Sequence, residues 1–447
     1  MKAESLSDVQ TAGKADTPAK RYPRYAVGLL LLVYVLHNLD RQIVNILAEP
    51  IKHDLGLRDW QLGIMTGLAF ALFYATLGIP IARLAERGNR TRIIAIAVAT
   101  WSAFTAVSGL AQNFVQLVLA RIGVGVGEAG CTPAAHSLIS DIVPREKRAS
   151  ALGVYAMGAP IGVLLGMATG GFIADAWGWR AGFFIAAAPG LAIGLLVALT
   201  LNEPRKAWIA SMKASDPAPS FADAMRELRS CRTFWLCGIG SAFQAVVALG
   251  HSAFLGSFFF RNHTSGLAEA ASAVGLQTAS FLGLAIGLIN GLSGMVGAYV
   301  GGKLGDRHVK ISSRGIATQL AVCNFIAVPT YIAAMLLDST PLALAALVIP
   351  ALCYGMTYGP LFSVFQSVVQ PHTRATGVSI YLLMTNLVGL GLGPLLVGLM
   401  SDYFADGIGL GMGEGLRWAQ IVVTFLGLVA AALYWRARRH IVGDTVG

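Results

Sequence analysis

Twelve times along this chain the sequence turns apolar for about twenty residues, the length a helix needs to cross a hydrocarbon layer. The runs fall near residues 25–48, 61–83, 91–111, 113–140, 150–174, 179–201, 233–261, 275–302, 315–337, 341–370, 375–401 and 416–437. With 55% of 447 residues hydrophobic and only 13% charged, the chain has more apolar surface than a soluble fold could bury. The expectation is an all-α membrane protein of twelve transmembrane helices. Residues 1–24 read as a polar tail, 25–201 and 233–438 as two six-helix halves, 202–232 as a linker and 439–447 as a second tail.

A net charge of +10 raises the question of nucleic acid, but the basic residues are sorted by side rather than clustered. If the N-terminal tail is cytoplasmic, Lys52, Arg58, Arg180, Arg261 and Arg417 are the exceptions on the far side, and Arg41 and Arg121 fall within spans. Every other Lys and Arg of the 33 lies inside, which puts both termini in the cytoplasm and makes the bilayer, not nucleic acid, the partner. The first 24 residues carry Glu4, Asp8 and Asp16 and lack the apolar core of a cleaved signal. Cys131, Cys231, Cys237, Cys323 and Cys353 are scattered, so neither a disulfide framework nor a metal set is expected.

The halves repeat. Glu86-Arg87 after span two matches Asp306-Arg307 after span eight, 220 residues on; Pro144 and Arg148 match Pro371 and Arg374; Asp175 matches Asp402, 227 residues on. An even number of crossings separates the copies, so they run parallel. These paired loops and exits, with "GAPIGVLLGMATGG" in span five, resemble the major facilitator superfamily across residues 25–438. Within it, "HNLDRQIVNIL" and "RIGVGVGEAG" look like the Spinster family, whose animal members carry lysolipids and sphingoid phosphates. That resemblance implies a secondary transporter working by alternating access, with the paired loops steadying the outward-facing state. In the linker, Ser220 and Asp223 have capping-box spacing and Phe221, Met225 and Leu228 recur helically, so "SFADAMRELRS" predicts a short amphipathic helix.

Gly125, Gly127 and Gly130 spell G-x-G-x-x-G, with Glu146 about where a dinucleotide site wants an acid. The surrounding run is too long and too apolar for strand, turn and helix. At about 100° per residue, Arg121 and Glu128 lie about 20° apart on one helix face, with Gly123, Gly127 and Gly130 on the other. Small residues there admit a neighbouring helix. Span one gathers His37, Asn38, Asp40, Arg41 and Asn45 on one polar arc. A charge at mid-membrane costs about 2.5–3.5 kcal/mol, so four unpaired would cost on the order of 10 kcal/mol, and they must pair or face water. Burial penalises a carboxylate's charged form and a neighbouring Arg favours it, so protonation follows conformation. Asp40 and Glu128 are therefore candidate proton carriers, Arg121 the switching partner, and Arg41 a second partner or the grip on a substrate anion.

The second half offers His251, Phe254, Tyr354 and Tyr358 in its spans and no central acid or base. A charged wall facing an aromatic one suits an amphiphilic anion, with His37, Asn38, Arg41, Asn45, His251, Phe254, Tyr354 and Tyr358 as candidate contacts. Glu86, Arg87, Arg90, Arg148, Asp306, Arg307 and Arg374 are candidates for a cytoplasmic gate of ion pairs. No cofactor or catalytic set is expected. A lipid-modifying enzyme is disfavoured because no Ser-His-Asp arrangement, H-E-x-x-H or His cluster occurs. The remaining alternatives are a lysolipid or sphingoid-phosphate carrier and a small organic anion or drug carrier, in either case a monomer in a bacterial inner membrane.

Overall fold

The structure is a computed structural model that describes residues 18–144, 147–204, 221–370 and 373–445. Residues 1–17 of the N-terminal tail and Ser220 of the expected capping box lie outside that set. The described residues are helical and contain no strand. That is what lipid demands, because a helix satisfies its own backbone polar groups and an open sheet edge does not. Spans 1 to 4 are Tyr22–Leu55, Asp59–Gly78, Arg90–Gly109 and Phe114–Ile142. One stretch, Ser150–Thr200, holds spans 5 and 6, broken at Gly178 where φ of 77° requires glycine. Spans 7 to 12 are Arg232–Asn262, Thr278–His308, Arg314–Leu336, Thr340–Val368, Thr376–Gly407 and Gly411–Ala437.

Helix begins at Pro18, inside the stretch read as tail. A short helix at Thr264–Ala273 fills the connection between spans 7 and 8, to which the sequence reading assigned no element. The expected linker helix forms at Phe221–Ser230. It docks on the second half: Leu228 is buried beside Phe234 and Val368, its carbonyl accepts from Trp235 Nε1 at 2.9 Å, and Thr373 Oγ1 donates to Glu227 Oε1 at 3.0 Å.

The start of span 1 and the end of the described chain lie at one end of the bundle, since the Tyr22 hydroxyl meets the end of span 6 at Asn202 and Asp444 caps the start of span 7 at Thr233. The opposite, distal end is where the halves meet. Close cross-half packing between spans 5 and 8 runs from Gly171 against Ala279 to Gly291 against Pro160. Between spans 2 and 11 it runs from Gly398 against Asp59 to Gly391 against Leu68 and Ala71. Both partners in that second contact contain π-helical turns, Ile64–Leu68 and Met384–Leu392, which pack on one another.

Candidate functional site

The four mid-membrane charges form two crossed pairs in the first half. Arg41 Nε donates to Glu128 Oε2 at 2.9 Å, and Arg121 Nη1 reaches Asp40 Oδ2 at 3.3 Å. Arg121 had been expected to partner Glu128, its neighbour two turns along span 4. In this conformation each of the two span-4 charges takes the opposite charge from the adjacent pair Asp40-Arg41. Asp40 Oδ1 also accepts from the Thr105 hydroxyl of span 3 at 2.7 Å. His37 Nδ1 stands 3.3 Å from Glu128 Oε2 without hydrogen bonding to it.

The two pairs differ in surroundings. Asp40, Arg121 and Thr105 are buried, and so is Glu128, but the Arg41 side chain is 21% exposed. Its guanidinium lies over the Phe70 ring at 4.4 Å and the Tyr74 ring at 4.6 Å, cation–π contacts that hold it without neutralising it. Aromatic rings complete the setting: His37 stacks on Tyr34 and meets Trp101 edge-on, and Tyr34 stacks on Tyr155. From the second half Tyr358, 65% exposed, comes within electrostatic range of Tyr34 and Tyr74. A water-accessible gap therefore separates the halves at this level, with Arg41 on one wall and Tyr358 on the other.

Several expected substrate contacts sit elsewhere. Asn38 turns its amide to the Tyr34 carbonyl and packs under span 5 at Gly162. Asn45 bonds Gln42 and, across the halves, Ser252. His251 is buried and stacked on Tyr331 at 3.7 Å, with Nε2 3.0 Å from Thr424 Oγ1. Phe254 is in the core that seals the distal half. In this conformation each of the four is engaged by protein neighbours, Asn45 and Phe254 by neighbours in both halves. Tyr354, half-buried, packs beside Cys323 and Cys353 and its hydroxyl has no protein partner.

The candidate gate residues divide in a similar way. The side chains of Glu86, Arg87 and Arg374 lie outside those described. Asp306 and Arg307 are exposed. Arg90 bonds within its own half: it is buried, binds both oxygens of Glu203 and reaches Asp141 Oδ2 at 2.7 Å and Ser137 Oγ at 2.9 Å. Arg148 Nε donates to the Val143 carbonyl at 3.3 Å, finishing the exit from span 4.

A charged lock that the sequence reading missed closes the distal end. Arg261 of span 7 forks between Glu49 and Asp59 of the first half, with four contacts of 2.7–2.8 Å. Lys52 Nζ and Ser401 Oγ hold Asp59 as well, at 2.5 and 2.6 Å. The duplicated acids complete it. Asp175 accepts from the backbone N–H groups of Ala279 and Ser280 at the start of span 8, and Asp402 from those of Asp59 and Trp60 at the start of span 2. Each carboxylate caps the first turn of a helix in the other half, where the helix dipole favours it. Their 227-residue spacing was the legible signal; the cross-half partnership was not.

A charged mid-membrane cluster within the first of two duplicated six-helix halves defines a secondary transporter of the major facilitator class, and the chain belongs to the Major Facilitator Superfamily, whose family model matches residues 30–394. Within that class it is Spinster-like. It is similar to a solved bacterial homologue of the human lysosomal transporter Spinster, in an inward-facing and unoccupied conformation, with 33% identity, a TM-score of 0.84 and coverage of 96% of this chain and 99% of that one. It is 30% identical to an MFS-type efflux pump of Mycolicibacterium smegmatis over 98% of this chain and all of the relative. Protein spinster homolog 1 of Homo sapiens is 26% identical over 84% of this chain and 72% of that protein. These relatives are transporters, not enzymes.

Proposed function

We propose that the protein is a proton-coupled transporter of amphiphilic anions, lysolipids or sphingoid phosphates among them, working by alternating access. The observation that carries this reading is the partly exposed Arg41 beside buried Glu128, facing a gap walled by Tyr34, Tyr74 and Tyr358. The guanidinium suits an anionic head and the aromatic wall an apolar chain. Asp40, Arg121 and Glu128 are the coupling unit, with His37 beside it. The sidedness of Lys and Arg puts the terminal end in the cytoplasm of a bacterial cell, so the closed distal lock makes this conformation inward-facing. The protein works as a monomer in the inner membrane.

A second reading, transport of small organic anions or drugs, is supported by the name of the mycobacterial relative. Purified protein in liposomes separates the two. Under an imposed pH difference, a lysophospholipid should accumulate and compete with other single-chain anions. Accumulation of short organic anions or drugs alone would favour the second reading, and accumulation that ignores the pH difference would end the coupling claim.

A further inference from the structure

We infer that the side-chain amides of Gln42 and Asn45 form a seat for a substrate hydroxyl, so that the anions bound best carry a hydroxyl two or three carbons from the charged group. The inference rests on the reading of Arg41 as the anion contact and adds what is recognised next to the charge. Gln42 and Asn45 stand three residues apart on span 1, neighbours on one helix face. With Ser252 of span 7 they close a small ring. Asn45 Nδ2 donates to Gln42 Oε1 at 3.1 Å and to Ser252 Oγ at 3.3 Å, and Ser252 Oγ donates to Gln42 Oε1 at 3.4 Å.

The ring occupies one end of each amide and leaves the other open. Both hydrogens of Asn45 Nδ2 and both acceptor sites of Gln42 Oε1 are taken, whereas Gln42 Nε2 and Asn45 Oδ1 bond to nothing among the described residues. Neither open atom is sealed in, unlike Arg41 Nη2 and His251 Nδ1, which are buried without a partner. The ring is the cross-half contact nearest the gap, so the water that reaches the open atoms is the water of the gap. Pinning the halves together uses only the Gln42 oxygen. A leftover N–H and carbonyl in a hydrocarbon span cost free energy unless water or a ligand meets them.

The backbone beneath the amides is held from two sides. A Cβ at Gly166 of span 5 would stand 3.0 Å from the Gln42 Cβ, and one at Gly256 of span 7 would stand 3.4 Å from the Asn45 carbonyl oxygen. Such close approach fixes where the open donor and the open acceptor sit. A hydroxyl answers both from a single oxygen, accepting from Gln42 Nε2 and donating to Asn45 Oδ1. An ionised oxygen, which can only accept, would satisfy Gln42 and repel the Asn45 carbonyl. Asn45 follows Arg41 by one helical turn, with Cβ atoms about 5–6 Å apart. That is the reach from an anionic group at the guanidinium to a hydroxyl two or three carbons along.

The test uses the full chain in lipid nanodiscs and two matched phosphates, 1-O-dodecylglycerol 3-phosphate and 3-(dodecyloxy)propyl phosphate, which differ only in the free hydroxyl. Calorimetric titration gives both affinities, with empty discs subtracting partition into lipid, and their ratio is the readout. The wild type should prefer the hydroxylated phosphate by roughly tenfold, as two neutral hydrogen bonds allow. Gln42→Met, which keeps the length and loses the donor, should bring the ratio close to unity, and Asn45→Ala is the second route to the same loss. Ser252→Ala opens the cross-half ring without touching the open atoms and should keep the preference. A wild-type ratio near unity, with both phosphates bound saturably, overturns the inference and leaves the amphiphilic-anion reading standing. A preference that survives in both amide variants overturns it too, and so does one lost in Ser252→Ala, which would assign the selection to closure of the seam. If neither phosphate binds the wild type, the amphiphilic-anion reading falls, and this inference with it.

Discussion

Two arginines in the first half, Arg90 and Arg41, do different work, and their partners tell them apart. Arg90 is enclosed by Glu203, Asp141 and Ser137, with every contact inside one half and the glutamate buried beside it. Removing one member of such a pair leaves a bare buried charge and costs about 3–5 kcal/mol. Arg90→Ala should therefore lower the thermal unfolding midpoint in detergent sharply, and Arg90→Ala with Glu203→Gln should recover part of the loss. A single variant as stable as the wild type would show that Arg90 does not brace the half. Arg41 is set up oppositely, partly exposed and supported by aromatic faces. Glu128→Gln should abolish uptake driven by a pH difference in liposomes while substrate exchange at equal pH survives. Continued accumulation against a gradient would make the cluster structural.

Span 4 shows what periodicity reveals about an element and what it leaves out. The segregation of its charges from Gly123, Gly127 and Gly130 follows from the helical angle alone, and those glycines do admit neighbours: span 3 at Phe104 and Trp101, and Ile81 on the helix that continues from span 2. Gly125, which the same angles put toward the gap, packs instead on the Phe70 backbone of span 2. Angles place a residue on a face but do not say which helix covers that face. The same limit hid the crossed ion pairs, Thr105, and the π-helical turns of spans 2 and 11, all of which depend on neighbours distant in sequence. The span-4 contact gives a quantitative check. A Cβ at Gly127 would stand 2.6 Å from the Trp101 backbone nitrogen, whereas one at Gly153 would meet nothing within 4 Å. Gly127→Ala should force spans 3 and 4 apart and cost about 1–3 kcal/mol. Gly153→Ala should leave the unfolding midpoint unchanged or slightly raised. Equal effects in the two variants would mean that spans 3 and 4 are not in close contact.

Over the whole molecule, the cross-half hydrogen bonds among the described residues run from Gln42 and Asn45 against Ser252 outward to the distal loops. The halves are thus pinned at one end and parted at the other, and any state open at the distal end must first break the distal set. Its members are not equivalent. Asp175 and Asp402 are matched by the duplication and cap equivalent helices with neutral N–H groups, so each can release its partner into water at modest cost. Arg261 has no such freedom, because it is the one cross-half cation seen in the lock and it satisfies two buried acids at once. Arg261→Ala leaves Glu49 and Asp59 side by side on the first half without their cross-half cation, Lys52 remaining on Asp59, and water entering from the distal side is the cheapest relief. The variant should therefore populate a state open at the distal end and closed at the terminal end. Spin labels on the connections after spans 1 and 7 should move apart, while labels on the terminal-end loops after spans 2 and 8 approach. A shift of about 1.4 kcal/mol changes the population ratio tenfold, within reach of a distance distribution. Arg261→Lys, which keeps the charge but not the fork, should give an intermediate distribution. Unchanged distances on both sides in Arg261→Ala would show that the packing of spans 2 and 11 and of spans 5 and 8, not the charge lock, holds the distal end shut.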